Sequence, residues 1–80
     1  METLRKEAIR IKGPDGPEEF LLEEKDFGDL VVFDVYHKGQ NLMTLAGDGG
    51  ILFMNFGARD EDKQFFKLSY LNQFVDKMIN

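Results

Sequence analysis

Large apolar residues recur at every second position along three short segments between positions 30 and 56. The segments cover residues 30–36, 42–46 and 51–56, and turn-forming residues separate them. A side-chain period of two is typical of β-strands, because successive side chains point to opposite faces of a sheet. The pattern therefore predicts three consecutive strands joined by hairpins.

The register of these hairpins follows from the two turns. A three-residue loop with Gly39 in the left-handed position places Phe33 opposite Met43. If the turn over residues 47–50 introduces no slip in register, Leu45 lies opposite Leu52. One face of the sheet then carries only apolar side chains, namely Val31, Phe33, Val35, Met43, Leu45, Leu52, Met54 and Phe56. A one-residue slip would mix the two faces, so the separation supports this register.

Two more strands are predicted near the N-terminus, over residues 7–12 and 20–25. Residues 13–18 contain two prolines and two glycines, which favour a turn because Pro fixes φ and Gly accepts positive φ. A connection of this length sets Ile11 opposite Phe20 and Ile9 opposite Leu22. A helix is the alternative for the first segment, since Leu4, Ala8 and Ile11 also share a helical spacing.

The C-terminal segment changes character after position 59. No Gly or Pro interrupts residues 60–78, and Asp60, the predicted N-cap, opens an acidic first turn that suits a helix N-terminus. An apolar stripe at helical spacing contains Phe65, Leu68, Leu71, Val75, Met78 and Ile79. The sequence thus predicts one α+β domain of residues 1–80, an antiparallel β-meander of about five strands with one C-terminal α-helix packed on one face.

Composition excludes several classes of protein. The 80 residues include no cysteine, so disulfides, thiolate metal sites and a cysteine nucleophile are excluded. A net charge of −5 argues against general nucleic-acid or anionic-membrane binding, which needs clustered basic residues. No apolar run approaches the length of a membrane span or a signal peptide. We expect a cytoplasmic protein.

The stretch Gly47-Asp48-Gly49-Gly50 could be a loop that binds a phosphate or a metal ion, or it could only turn the chain. A phosphate loop leads into a helix N-terminus, whereas this stretch leads into a strand pattern, so we interpret it as a hairpin turn. His37 is the only histidine and is expected to cap a hairpin turn in solvent. We predict no catalytic residue, no cofactor and no metal site, and we interpret the acidic clusters as solvated surface.

The aromatic residues of the predicted helix form a second stripe. Phe66, Tyr70 and Phe74 are spaced four residues apart and lie beside the apolar stripe. Together the two stripes make the helix apolar around more than half its circumference. Either the sheet curls around the helix and buries this ridge, or part of the ridge is exposed and binds a partner. The sequence leaves both interpretations open.

The mixed sheet face raises the same question. Leu30, Val32, Ile51 and Phe53 would form an apolar patch opposite the helix, or simply be scattered exposed residues. From the ridge and this patch we predict a small acidic, non-catalytic protein-interaction module. Its partner would be another protein or a second copy, which would make it a homodimer.

The alternative hypothesis is a small-ligand-binding domain or small enzyme whose site forms at a dimer interface. Its polar groups would be Asp34, Tyr36, His37 and Tyr70. A closed pocket lined by His37 or Asp34 would favour this alternative. A flat apolar surface would favour the interaction module.

Overall fold

The computed structural model describes residues 1–79, which form five antiparallel strands followed by a helical segment. The strands lie side by side in chain order, so the sheet is a meander. Their bounds are β1 Glu2–Gly13, β2 Gly16–Asp26, β3 Val31–His37, β4 Gln40–Ala46 and β5 Ile51–Met54. The predicted α+β meander with a C-terminal helix is confirmed, and the helical alternative for the first segment is wrong.

The β1–β2 hairpin is longer and more tightly connected than predicted. Only Pro14 and Asp15 separate the strands, and Gly16 takes the positive φ of +119° that this turn requires. Ile9 therefore lies opposite Phe20, two residues away from the predicted register. Because the shift is even, the predicted apolar side chains still share one face.

The β3–β4 hairpin departs from the predicted loop in a similar way. Lys38 and Gly39 both have positive φ and form a two-residue turn in place of the expected three-residue loop. The shorter turn and a bulge in the hairpin each shift the register by one residue, so Phe33 lies opposite Leu45, not Met43. A bulge between Val35 and Tyr36 adds a residue to β4, and it brings the side chains of Leu42 and Met43 both into the core.

The β4–β5 pairing combines a predicted contact with an irregularity. Met43 lies opposite Met54, as predicted. A second bulge then places Ile51, not Leu52, opposite Leu45. β5 ends at Met54, two residues before the predicted end, since the Phe56 N–H donates back to the Met54 carbonyl at 3.0 Å.

The helical segment is broken rather than continuous. A short helix α1, Asp60–Lys63, leads into a 3₁₀ turn, Gln64–Phe66, and then into helix α2, Leu68–Ile79. Lys67 is extended, with φ −65° and ψ 147°, and interrupts the predicted helix. The N-cap position belongs to Arg59 and carries no side-chain cap, so the prediction of Asp60 as N-cap is wrong.

The core lies between the helical segment and one face of the sheet. Phe20 is at its centre, with edge-on contacts to Phe65 and Phe74 at centroid distances of 4.9 and 5.0 Å. The buried apolar residues of this core are Ile9, Ile11, Phe20, Leu22, Phe33, Val35, Leu42, Met43, Leu45, Ala58, Phe65, Leu71, Phe74 and Met78. The break at Lys67 turns Leu68 outward to 71% exposure, which corrects its predicted place in the buried stripe.

Polar contacts attach α2 to β1. The Arg5 guanidinium donates to the Met78 carbonyl at 3.0 Å, at the negative end of the helix dipole. The Gln73 amide accepts from Lys12 N–H at 2.9 Å and donates to Lys12 C=O at 3.3 Å. No helix within residues 1–79 has the length and apolar character needed to cross a membrane.

Candidate functional site

The outer strand β5 presents apolar side chains to solvent. Ile51 is 50% exposed, Leu52 52% and Phe53 48%. β5 is the last strand of the sheet and pairs with β4 on one side only. Residues 49–58 contain no charged side chain. This strand therefore combines a free hydrogen-bonding edge with an uncharged, water-exposed surface.

The backbone of β5 has hydrogen-bonding groups directed away from the sheet. The Asn55 N–H donates to the Leu42 carbonyl at 3.0 Å, across the ladder. Successive N–H groups of an antiparallel strand alternate in direction, so the preceding Met54 N–H points away from β4. An unpaired edge of this kind can accept a further strand.

Exposed apolar groups flank β5 on both faces of the sheet. Phe53 lies opposite Thr44, on the face that the helices do not cover. On the other face Phe56, 71% exposed, contacts Phe66 edge-on at a centroid distance of 5.7 Å. We call the surface formed by Ile51, Leu52, Phe53 and Phe56 the β5 surface.

The opposite edge, β1, is protected from strand addition. Its exposed side chains include the charged residues Lys6, Glu7, Arg10 and Lys12. In addition, the Gln73 amide occupies both backbone groups of Lys12. Charged residues and covering groups are two of the usual means of preventing edge-to-edge pairing. β5 has neither of these two, although it is only four residues long and carries the bulge opposite Leu45.

The predicted mixed-face patch is only partly exposed. Leu30, at 46%, is accessible like Ile51 and Phe53, but Val32 is 6% exposed. Val32 lies in the central strand between its cross-strand neighbours Lys25 and Ala46, so it has no free surface to offer a partner. The predicted use of Val32 as a contact residue is corrected accordingly.

The predicted aromatic ridge is mainly part of the core. Phe74 is fully buried against Phe20, so it is not a surface residue. Tyr70 is half-buried and contacts Phe65 at 5.1 Å, while Phe66 is half-buried beneath Phe56. The ridge thus gives no continuous surface, and only its Phe66 end reaches the β5 surface.

The alternation of apolar residues predicts that Leu52 and Phe56 lie on the buried face of the sheet. In the structure both side chains are exposed. The bulge opposite Leu45 removes Leu52 from the core register, and β5 ends before Phe56. A signal was nevertheless present, because the last strand of a meander is an edge strand, and its side chains have neighbours on one side only.

His37 is buried, contrary to the prediction that it lies in solvent. Its ring is stacked on Phe20 at 4.7 Å, and the residue is 4% exposed. Nδ1 lies 2.7 Å from Asp62 Oδ1, and Nε2 lies 3.2 Å from Glu18 Oε2. Arg59 holds the other Asp62 oxygen at 2.8 Å. Both ring nitrogens can donate at the same time only in the protonated imidazole.

A cleft of about 210 Å³ lies beside this group of residues. Its lining residues are Asp15, Glu18, His37, Lys38, Glu61, Asp62, Gln64 and Phe65. None of these is a serine, threonine or cysteine that His37 could activate as a nucleophile. Among residues 1–79, no group of three or more His, Cys, Asp or Glu side chains is arranged so that it could bind a metal ion. The His37 contacts attach α1 to the β2 and β3 strands.

A second polar group occupies the uncovered face of the sheet. Lys25 Nζ donates to Asp34 at 2.5 Å and to the Tyr36 hydroxyl at 3.3 Å. The Thr44 hydroxyl donates to the other Asp34 oxygen. The hydrogen bond to Asp34 raises the pKa of Lys25 above its ordinary value, although burial opposes the shift. Asp34 and Tyr36 therefore lie on the face away from His37, so the polar residues proposed for an enzyme site do not converge.

Comparisons of this chain with protein-family models, with curated proteins and with solved structures find no match.

Proposed function

We propose that this protein is a non-catalytic protein-interaction module that binds an extended strand of its partner along β5. The observation that carries the proposal is the difference between the two edges of the sheet. β1 has charged side chains and the Gln73 amide along its free side, whereas β5 has exposed apolar side chains and no charge. Strand addition to an open edge combines backbone hydrogen bonds with apolar contacts.

The energetics of the β5 surface agree with this role. Leu52 and Phe53 are each about half exposed. Covering the exposed part of each gains on the order of 1–2 kcal/mol, at about 25 cal/mol per Å² of apolar area. A partner strand would also satisfy outward backbone groups such as the Met54 N–H. A few such side chains are enough to form the energetic centre of an interface.

Site-specific crosslinking tests the proposal. A photoreactive amino acid replaces Leu52 in one variant and Leu4 of β1 in the other. The two leucines are a matched pair, because they lie in opposite edge strands with 52% and 49% exposure. We expect protein adducts in the native extract from position 52 and not from position 4. Equal adduct formation at both positions, or none at position 52, would contradict the proposal.

The alternative function is binding of a small ligand, or an enzyme activity, in the cleft beside His37. The observation in its favour is a buried histidine hydrogen-bonded to Asp62 at the wall of an open cleft. Against it, both ring nitrogens already face carboxylates. Titration with a small-molecule fragment set, followed by NMR, separates the two. Ligands that shift the signals of His37 and Gln64 would favour the alternative.

The cytoplasmic location expected from the sequence belongs to the proposal as well. Fractionation of the native cells, followed by detection of the chain with an antibody, tests it. Recovery in a membrane or extracellular fraction would contradict it.

A further inference from the structure

We propose that the partner strand at β5 is the β5 strand of a second copy of this chain. The two strands would pair antiparallel across a twofold axis and join two five-stranded sheets into one continuous sheet of ten strands. This inference rests on the proposed function, because it names the occupant of the β5 edge.

The first argument is self-complementarity. A twofold interface brings the same surface patch of each copy together, so every group must tolerate its own counterpart nearby. Residues 49–58 meet this condition, since they contain no charge that would be repelled by an identical one. Each copy carries a net charge of −5, so an uncharged edge is where two copies can approach with least repulsion.

The second argument is the area available. Phe53 and Phe56 are exposed to 48% and 71%, and Ile51 and Leu52 to 50% and 52%. Partly exposed side chains of this size each contribute on the order of 100 Å². The four side chains of the β5 surface therefore offer an apolar area of roughly 800 Å² over both copies for twofold pairing to cover. That total lies below the roughly 1,200 Å² of stable, specific interfaces and is typical of a weak, reversible dimer.

The third argument is that apolar groups flank the edge on both faces. Phe53 lies on the uncovered face, and the Phe56–Phe66 pair lies on the helix side. A second β5 strand would bring its own Phe53 and Phe56 to these two faces. Both faces of the new seam would then be covered by aromatic side chains, which pack well across paired strands.

The test measures the oligomeric state from about 1 μM to 1 mM by sedimentation equilibrium. We expect the native chain to form a dimer within this range. Leu52→Lys should raise the dimer dissociation constant by at least about 100-fold, because pairing would bring two like charges together. Leu4→Lys introduces the same charge at equal exposure on β1 and should leave the dissociation constant unchanged.

A backbone measurement separates strand pairing from simple apolar contact. The Met54 N–H should exchange with solvent more slowly at high protein concentration, since it would become hydrogen-bonded in the dimer. If Leu52→Lys does not fold, as judged by circular dichroism, Phe53→Lys replaces it. Loss of dimerisation in the lysine variant together with Met54 N–H protection would support the inference.

Two results would overturn it. One is a native chain that stays monomeric up to 1 mM; the other is a dimer that Leu52→Lys and Leu4→Lys affect equally. If the chain is monomeric but position 52 crosslinks to another protein, the second copy is wrong and the proposed function stands. If the chain is monomeric and position 52 crosslinks to nothing, both are wrong.

Discussion

The buried face of α2 can be tested with substitutions at Leu68 and Phe74, because the structure reverses the predicted burial of Leu68 and settles that of Phe74. The sequence places Leu68 in the buried stripe and Phe74 in the aromatic ridge, which it leaves open as buried or exposed. In the structure Phe74 is fully buried and Leu68 is 71% exposed. Replacing each with alanine therefore asks directly which face of the helix lies against the sheet.

The two costs differ by several kcal/mol. Truncating a buried phenylalanine costs about 3–5 kcal/mol, because apolar contact is lost and a cavity remains. The edge-on contact between Phe74 and Phe20 is lost as well. Leu68→Ala should change the free energy of unfolding by less than about 0.5 kcal/mol, as is usual for an exposed residue. A chain of 80 residues has only about 4–12 kcal/mol in total, so Phe74→Ala removes a large share.

Urea denaturation followed by far-ultraviolet circular dichroism measures both changes, since the chain has no tryptophan to report by fluorescence. Phe74→Leu provides a milder variant, with an expected loss of about 1–1.5 kcal/mol, if the alanine variant does not fold. A Phe74→Ala protein within 0.5 kcal/mol of the native chain, or a larger loss for Leu68→Ala, would refute the assigned helix face.

Three more predictions concern polar contacts. Asp62→Ala should lower the free energy of unfolding by about 1–3 kcal/mol, because it leaves Nδ1 of the buried His37 without its hydrogen-bond partner; a loss below about 0.5 kcal/mol in urea denaturation would contradict this. Arg5→Met should cost about 1 kcal/mol and speed amide exchange at the end of α2; unchanged exchange there would show that Arg5 does not stabilise the helix end. Lys25 has a raised pKa in the fold, so its stabilising effect is complete below its ordinary pKa of 10.5 and is lost as pH rises above that value. The difference in unfolding free energy between the native chain and Lys25→Met should thus be constant from pH 6 to 9 and shrink above about pH 10.5; shrinkage already near pH 8 would contradict the assignment.

The sheet was predictable from sequence because side-chain alternation survives even-numbered errors in register. The β1–β2 turn shifts the register by two residues, and the β3–β4 turn and its bulge together also shift it by two, so Ile9, Phe20, Phe33 and Leu45 all remain on the buried face. The bulges were not predictable in this way. Each adds one residue to a strand, and a single added residue moves a side chain such as Leu42 into the core or Leu52 out of it.

The helix face could not be predicted because the sequence pattern over residues 60–78 is that of one continuous helix. The extended Lys67 changes the phase between the 3₁₀ turn and α2, so positions before and after it do not share a stripe. Residues 60–78 contain no Gly or Pro that would mark this break. The buried position of His37 was missed for a related reason, since it depends on Asp62, which is 25 residues away.

The position of α2 explains why β5 is the accessible edge. Arg5 and Gln73 attach the C-terminal end and the middle of the helix to β1, through the Met78 carbonyl and the backbone of Lys12. One helix of 12 residues is about 18 Å long and about 10 Å wide, which covers about two strands spaced 4.8 Å apart. A helix held over the β1 side therefore leaves most of β5 uncovered: α2 reaches only the β4–β5 turn, where Val75 lies close to Gly49, and the 3₁₀ turn reaches Phe56 through Phe66. If the Arg5 and Gln73 contacts set this position, replacing both residues should let the helix shift and lower the exposure of β5. The double variant should then lose crosslinking at position 52, although neither residue lies near that strand.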